Sequence, residues 1–181
     1  IINNQIIDNA MVAIGIRNGS KATIKGNKME RKGGMPPMVA VLEDSQVEVT
    51  GNSIHGGGVA GILLSGTANI NDNKFLGNGP RSGGPPNFAG WVREGSEIQF
   101  NNNNVDRWRH ALFASGAIAV HANDNQIKNF IGTAIVVKGS TTRVEVSGNK
   151  AHSLDSKAKT VDFPLKSGNV RNNELINKEK Q

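Results

Sequence analysis

Between residues 91 and 110 the chain gathers Trp91, Arg93 and the run Asp106-Arg107-Trp108-Arg109-His110, and both of its tryptophans fall in this stretch. An indole offers a flat apolar face on which a sugar ring stacks, with a polar edge left to bond. Guanidinium groups fork onto carboxylates through paired hydrogen bonds. Together they describe a surface for an acidic sugar, with Trp91, Trp108, Arg107, Asp106 and Arg17 as substrate-binding candidates. Removing the proton beside a uronic-acid carboxylate needs a base and a positive charge to hold the carboxylate. His110, Arg93, Arg109 and Lys138 are the catalytic candidates for those roles. Calcium could share the neutralising role, but nothing in the sequence requires a cofactor. A plainer assignment has Trp108 covering a loop and the arginines solvated.

Hydrolysis would instead need two carboxyl groups about 5–10 Å apart. Asp106, Glu94 and Asp162 are available, yet no spacing pairs them. His55, His121 and His152 are isolated, no cysteine is present, and no spacing of ligands marks a metal site. Asp72 and Asp124 precede recurring asparagines, where aspartate caps a bend more readily than it binds calcium.

What positions these residues is a repeat. Short N-x-apolar units recur at Asn4, Asn27, Asn52, Asn73, Asn103, Asn125, Asn149 and Asn173, at spacings from 21 to 30 residues. Three residues before them stand Ile24, Val49, Ile70, Phe100, Ala122, Val146 and Val170; five before stand Ala22, Val47, Ala68, Ile98, Val120, Val144 and Gly168. Period-two alternation marks strands with one buried face. Immediately before each asparagine stands Gly, Asp or Asn, types that tolerate a left-handed bend. Each coil therefore reads as a strand, a bend, a short strand, a loop and a third strand, with the asparagines from Asn27 to Asn173 stacked as a ladder. The third strands are expected at Val12–Ile16, Val39–Leu42, Ala60–Leu64, Gly90–Arg93, Ala111–Ala114, Ala134–Val137 and Val161–Leu165.

This pattern, from Asn4 to Leu175, resembles the right-handed parallel β-helix superfamily, the pectate-lyase-like proteins with parallel β-helix repeats. The resemblance implies an all-β, right-handed solenoid of about seven coils with three short strands each. It also implies that the strand after the variable loop forms a first sheet whose outer face meets polysaccharide, outside the cell or at its surface. Counting outward positions from each asparagine gives Arg17, Leu42, Leu64, Arg93, Ala114, Lys138 and Asp162 as a surface column on that sheet, with Lys138 and Asp162 as neighbours. Two glycine- and proline-rich interruptions, residues 30–37 and 76–88, precede groove strands and would wall one flank. The Asp clusters with Gly-His-Gly of polygalacturonases and the Arg-x-Pro-x-x-Arg run of pectate lyases have no counterpart here.

Composition agrees with a narrow solenoid. The 181 residues hold 22 glycines, 36% hydrophobic and only 4% aromatic residues, too few large side chains for a wide core. They fit one domain, 1–181, expected to be a fragment or the C-terminal part of a longer chain, because it opens inside a coil without a cap. Missing N-terminal coils or a partner subunit would then cover the open end. No apolar run is long enough to span a membrane. A net charge of +6 suits an anionic partner. Nucleic acid is not the expected partner, since only the charge favours it and no recognition motif accompanies that charge. Three classes of function follow: a lyase or epimerase on an acidic polysaccharide, a non-catalytic carbohydrate-binding or cell-surface module, and a structural segment of a larger assembly such as a fibre or adhesin.

Overall fold

A computed structural model describes residues 1–56, 58–80, 85–153, 155–163 and 168–177. Every element among them is a strand, and the strands stack in three parallel sheets. The first sheet contains Ile14–Ile16, Val39–Val41, Ala60–Leu64, Phe88–Val92, His110–Ser115, Thr133–Lys138 and Lys159–Asp162. The second contains Lys21–Lys25, Gln46–Thr50, Thr67–Asn71, Glu97–Asn101, Ala119–Asn123, Arg143–Ser147 and Asn169–Arg171. The third runs from Gln5–Ile7 through Lys28–Glu30, Ser53–His55, Lys74–Leu76, Asn104–Asp106, Gln126–Lys128 and Lys150–Ser153 to Glu174–Asn177. The chain visits the sheets in that order seven times, a right-handed parallel β-helix of about seven coils.

The bend between the second and third sheets explains the repeat. The residue before each asparagine has positive φ in all eight cases, from 54° at Asn172 to 67° at Gly148. The following asparagine turns inward and is sealed from water from Asn27 to Asn149. Asn103 Oδ1 accepts from the Asn73 backbone N–H at 3.0 Å and from Asn73 Nδ2 at 3.1 Å. Its own Nδ2 donates to Ile70 O at 2.9 Å and to Asn125 Oδ1 at 3.2 Å. The same scheme runs from Asn4 to Asn173. A buried amide recurs because only that group both accepts from one coil and donates to its neighbours.

The core between the sheets is small and aliphatic. Ile24, Val49, Ile70, Phe100, Ala122 and Val146 form one column, and Met29, Ile54, Phe75, Val105, Ile127 and Ala151 another. Phe75 and Phe100 meet at 5.7 Å inside this core. Among the described residues no helix is long and apolar enough to cross a membrane.

The first sheet departs from strict alternation. Ala89, Ala111 and Ala134 point inward, and so do their successors Gly90, Leu112 and Ile135; a Cβ on Gly90 would meet Leu112 and Phe100. This doubled step kinks every central strand at the same place. It also corrects the expected surface column. Leu64 and Ala114 face the core, at 1% and 0% exposure. Arg17, Leu42, Arg93 and Lys138 do share one exposed column, with Ser65 and Ser115 in place of Leu64 and Ala114, and a second outward column two residues earlier is Ala40, Leu63, Trp91, Phe113, Val136 and Asp162. Asp162 lies opposite Val136, so it is offset by two residues from Lys138 rather than beside it. The turn into the second sheet varies, four residues after Ile16, Val41 and Val92, two after Leu64 and three after Ser115, so positions 9 to 11 residues before the asparagines do not stay on one side of the strand.

Ala60–Leu64 falls as expected, and the other strands shift at one or both ends by one to three residues, as with Ile14–Ile16 and Phe88–Val92. Residues 164 and 165 of the expected last strand lie outside the described residues, as do residues 81–84 of the longer interruption.

Candidate functional site

The outer face of the first sheet carries an aromatic cluster across the fourth and fifth coils. Trp91 is half-buried and pairs in register with Phe113 of the next strand. Phe88 pairs with His110 in the same two strands. The kink turns Phe88 and His110 outward beside them. Phe88 stacks on Phe113 at 4.8 Å with planes 10° apart, and meets Trp91 edge-on at 5.8 Å. The His110 ring lies 5.0 Å from Phe88 and 5.9 Å from Phe113. Offset and edge contacts of this kind stabilise the patch and hold its rings in fixed orientations.

Cations border it. The Arg93 guanidinium lies over Trp91, 5.7 Å from the ring centre, and Lys138 Nζ lies 6.0 Å from the centre of Phe113. Register places Arg93, Ser115 and Lys138 in one column, so the two cations stand two coils apart, about 10 Å. Neither makes an ion pair among the described residues. Both project from exposed positions just past the strand core.

His110 is fixed by its neighbours. Its Nδ1 lies 2.5 Å from the carbonyl oxygen of Thr133, which sets Nδ1 as the protonated, donating nitrogen. Nε2 then carries the lone pair of the neutral ring. Burial lowers the His110 pKa below the ordinary histidine value; the Thr133 carbonyl opposes this, and the charges of Arg109 and Lys138 add to it. The ring is therefore neutral at pH 7 and able to accept a proton.

Of the residues expected from sequence, Trp91, Arg93, His110 and Lys138 come together. Arg109 stands beside them, its backbone N–H held by both Oδ1 and the carbonyl of Asn87 at 3.1 and 3.0 Å. Trp108 does not join them. It is 1% exposed and packs beneath the corner at Gly77, so no ligand can stack on it. Asp106 sits on the third sheet and accepts from Asn129 Nδ2 at 2.8 Å. Arg107 is exposed at the corner with φ of 60°, and Arg17 lies three coils from Arg93. Asp106, Glu94 and Asp162 occupy a third-sheet strand, a turn and the last first-sheet strand, so no carboxyl pair forms. Among the described residues no three His, Asp or Glu side chains converge on a metal position. Asp72 and Asp124 serve as left-handed bend residues, with φ of 59° and 57°.

Sequence reasoning missed Phe88 and Phe113. A signal existed: Trp91 and Phe113 each lie 12 residues before a ladder asparagine, Asn103 and Asn125.

The kinked parallel sheets, the buried ladder and the loops added at one corner define a right-handed β-helix. Residues 1–105 match the family described as right handed beta helix region, and the chain belongs to that family. No curated protein and no solved structure matches the chain.

Proposed function

We propose that this protein binds an acidic polysaccharide on the outer face of its first sheet. The observation that carries the reading is the cluster of Trp91, Phe113, Phe88 and His110 bordered by Arg93 and Lys138. Sugar rings lie against the half-exposed rings of Trp91 and Phe113, and successive carboxylates reach Arg93 and Lys138. The resemblance to pectate-lyase-like proteins and the net charge of +6 support the same ligand class. The reading includes an extracellular or cell-surface location, where such polymers occur.

The test is retention in gels containing polygalacturonate, alginate or a glycosaminoglycan, against neutral dextran. Retention by at least one acidic polymer, weakened in Arg93→Ala and Lys138→Ala and by added salt, is expected. Equal mobility in every gel would end the proposal.

The geometry of His110 favours a second reading, in which binding is followed by β-elimination. Nε2 takes the proton beside the uronate carboxylate, the C–O bond to the leaving sugar breaks, and water protonates the released oxygen. Arg93 or Lys138 holds the carboxylate charge. Ultraviolet absorbance of an unsaturated product, lost in His110→Gln, would support cleavage. Binding without any such product leaves a carbohydrate-binding module.

A further inference from the structure

The connections from the third sheet to the first differ in length, and the differences cut a notch in one corner of the rod. The connection at residues 31–38 is eight residues long and that at 77–87 is eleven, while the one between them, 56–59, has only four. Two long connections thus flank a short one. The gap holds a pocket of about 280 Å³, close to the lower end of small-ligand sites. Its floor includes Gly56 and Gly58, where any Cβ would strike the carbonyl oxygens of Arg31 and Met35. Its walls are Lys32 to Met35 on one side and Asn78, Gly79 and Pro85 to Asn87 on the other. Asn78 Nδ2 ties the two loops through Lys32 O at 3.2 Å.

The charge lining this notch is positive. No carboxylate is among its described lining residues, and Lys32 supplies an exposed ammonium; the Asp8 carboxylate, outside the lining, accepts from the Lys32 backbone N–H at 3.4 Å. Behind Gly34 lies Arg31, only 3% exposed, with its guanidinium donating to the carbonyls of Met11 and Pro36. Arg31 Nε is buried without a hydrogen-bond partner, and no carboxylate pairs with the group among the described residues. A buried cation lacking a counter-ion leaves positive potential at the nearest open surface. Pro85, Pro86 and Met35 add apolar wall that suits the face of a ring. The notch also abuts the aromatic patch: Asn87 lines it, and the next residue is Phe88.

We propose that this notch takes a single uronate residue, a chain end or a branch of the polymer, with its carboxylate toward Lys32. The ligand class rests on the acidic-polysaccharide reading above; the site does not share its residues.

The test is an NMR titration of the whole chain with glucuronate, and with glucose as the uncharged control. Gly33→Leu plugs the notch, because a Cβ on Gly33 meets nothing within 4 Å and the backbone there is unstrained. Lys32→Ala removes the charge at an exposed position. Glucuronate should shift the amides of Gly34, Asn78 and Gly79 while glucose does not. Lys32→Ala should weaken binding about fivefold, and Gly33→Leu about tenfold or more. Absent shifts, or an unchanged titration in both variants, overturns the notch even if polymer is still retained through Trp91. Shifts at the notch combined with full polymer retention in Trp91→Ala would instead overturn the patch and keep the notch.

Discussion

Replacing Asn103 by alanine should cost far more stability than the same change at Asn173. Asn103 is 1% exposed at the middle of the ladder. Its loss leaves the Asn73 N–H without its acceptor in a sealed bend and strips Ile70 O of a donor. A stranded buried N–H costs about 1–3 kcal/mol, and the other lost bonds add about 1 kcal/mol each. With three such bonds, those to Asn73 Nδ2, Ile70 O and Asn125 Oδ1, the sum is about 4–6 kcal/mol for Asn103→Ala. Asn173 is partly exposed, and water can replace its bonds to Asn149, so Asn173→Ala should cost about 1 kcal/mol. Urea unfolding followed by circular dichroism measures both. Hydrogen exchange at the Asn73 amide separates local opening from global loss. Equal costs at the two positions, or less than about 1 kcal/mol at Asn103, would refute the ladder as the main polar support of the coil.

Arg107 occupies a left-handed corner that Asp8, Gly56 and Asn129 fill in other coils, so Arg107→Gly should stabilise the chain by about 1 kcal/mol in thermal melts. A large loss of stability would show that its side chain holds the corner. The pKa of His110 is lowered by burial, so the unfolded chain takes up a proton more readily than the folded one. Stability should be full above the unfolded value near 6.5 and fall as pH drops below it, until the folded ring also protonates. In His110→Gln that part of the decline should vanish from melting curves run between neutral and mildly acidic pH; an identical decline would place its source elsewhere.

How much of this was legible in the sequence follows from where chemistry constrains residue type. The bend could be read because one amide must serve two coils and because the residue before it needs a left-handed backbone; both demands recur without drift from Asn4 to Asn173. The first sheet was less legible. Its strands tolerate Ala, Gly, Leu or Ile at the doubled inward step, so no residue type marks the kink that turns Phe88 and His110 outward. Turns of two to four residues into the second sheet then left no single distance from the asparagine, and Leu64 and Ala114 fell on the wrong side of their strands. Trp108 misled for a related reason. The connection at residues 107–109 is only three residues long, and a coil that closes so tightly draws its middle side chain into the corner. The notch depended on connection lengths in three successive coils, a relation that no single motif carries.

If the aromatic and cationic patch holds an acidic polysaccharide, Trp91→Ala must weaken that binding. The measurement is the dissociation constant of the wild-type chain and of the variant for one acidic oligosaccharide, at fixed ionic strength. A stacked indole face supplies about 1–1.5 kcal/mol, so binding should weaken about five- to tenfold with the fold retained by circular dichroism. Equal affinity in the two proteins would contradict binding at this patch.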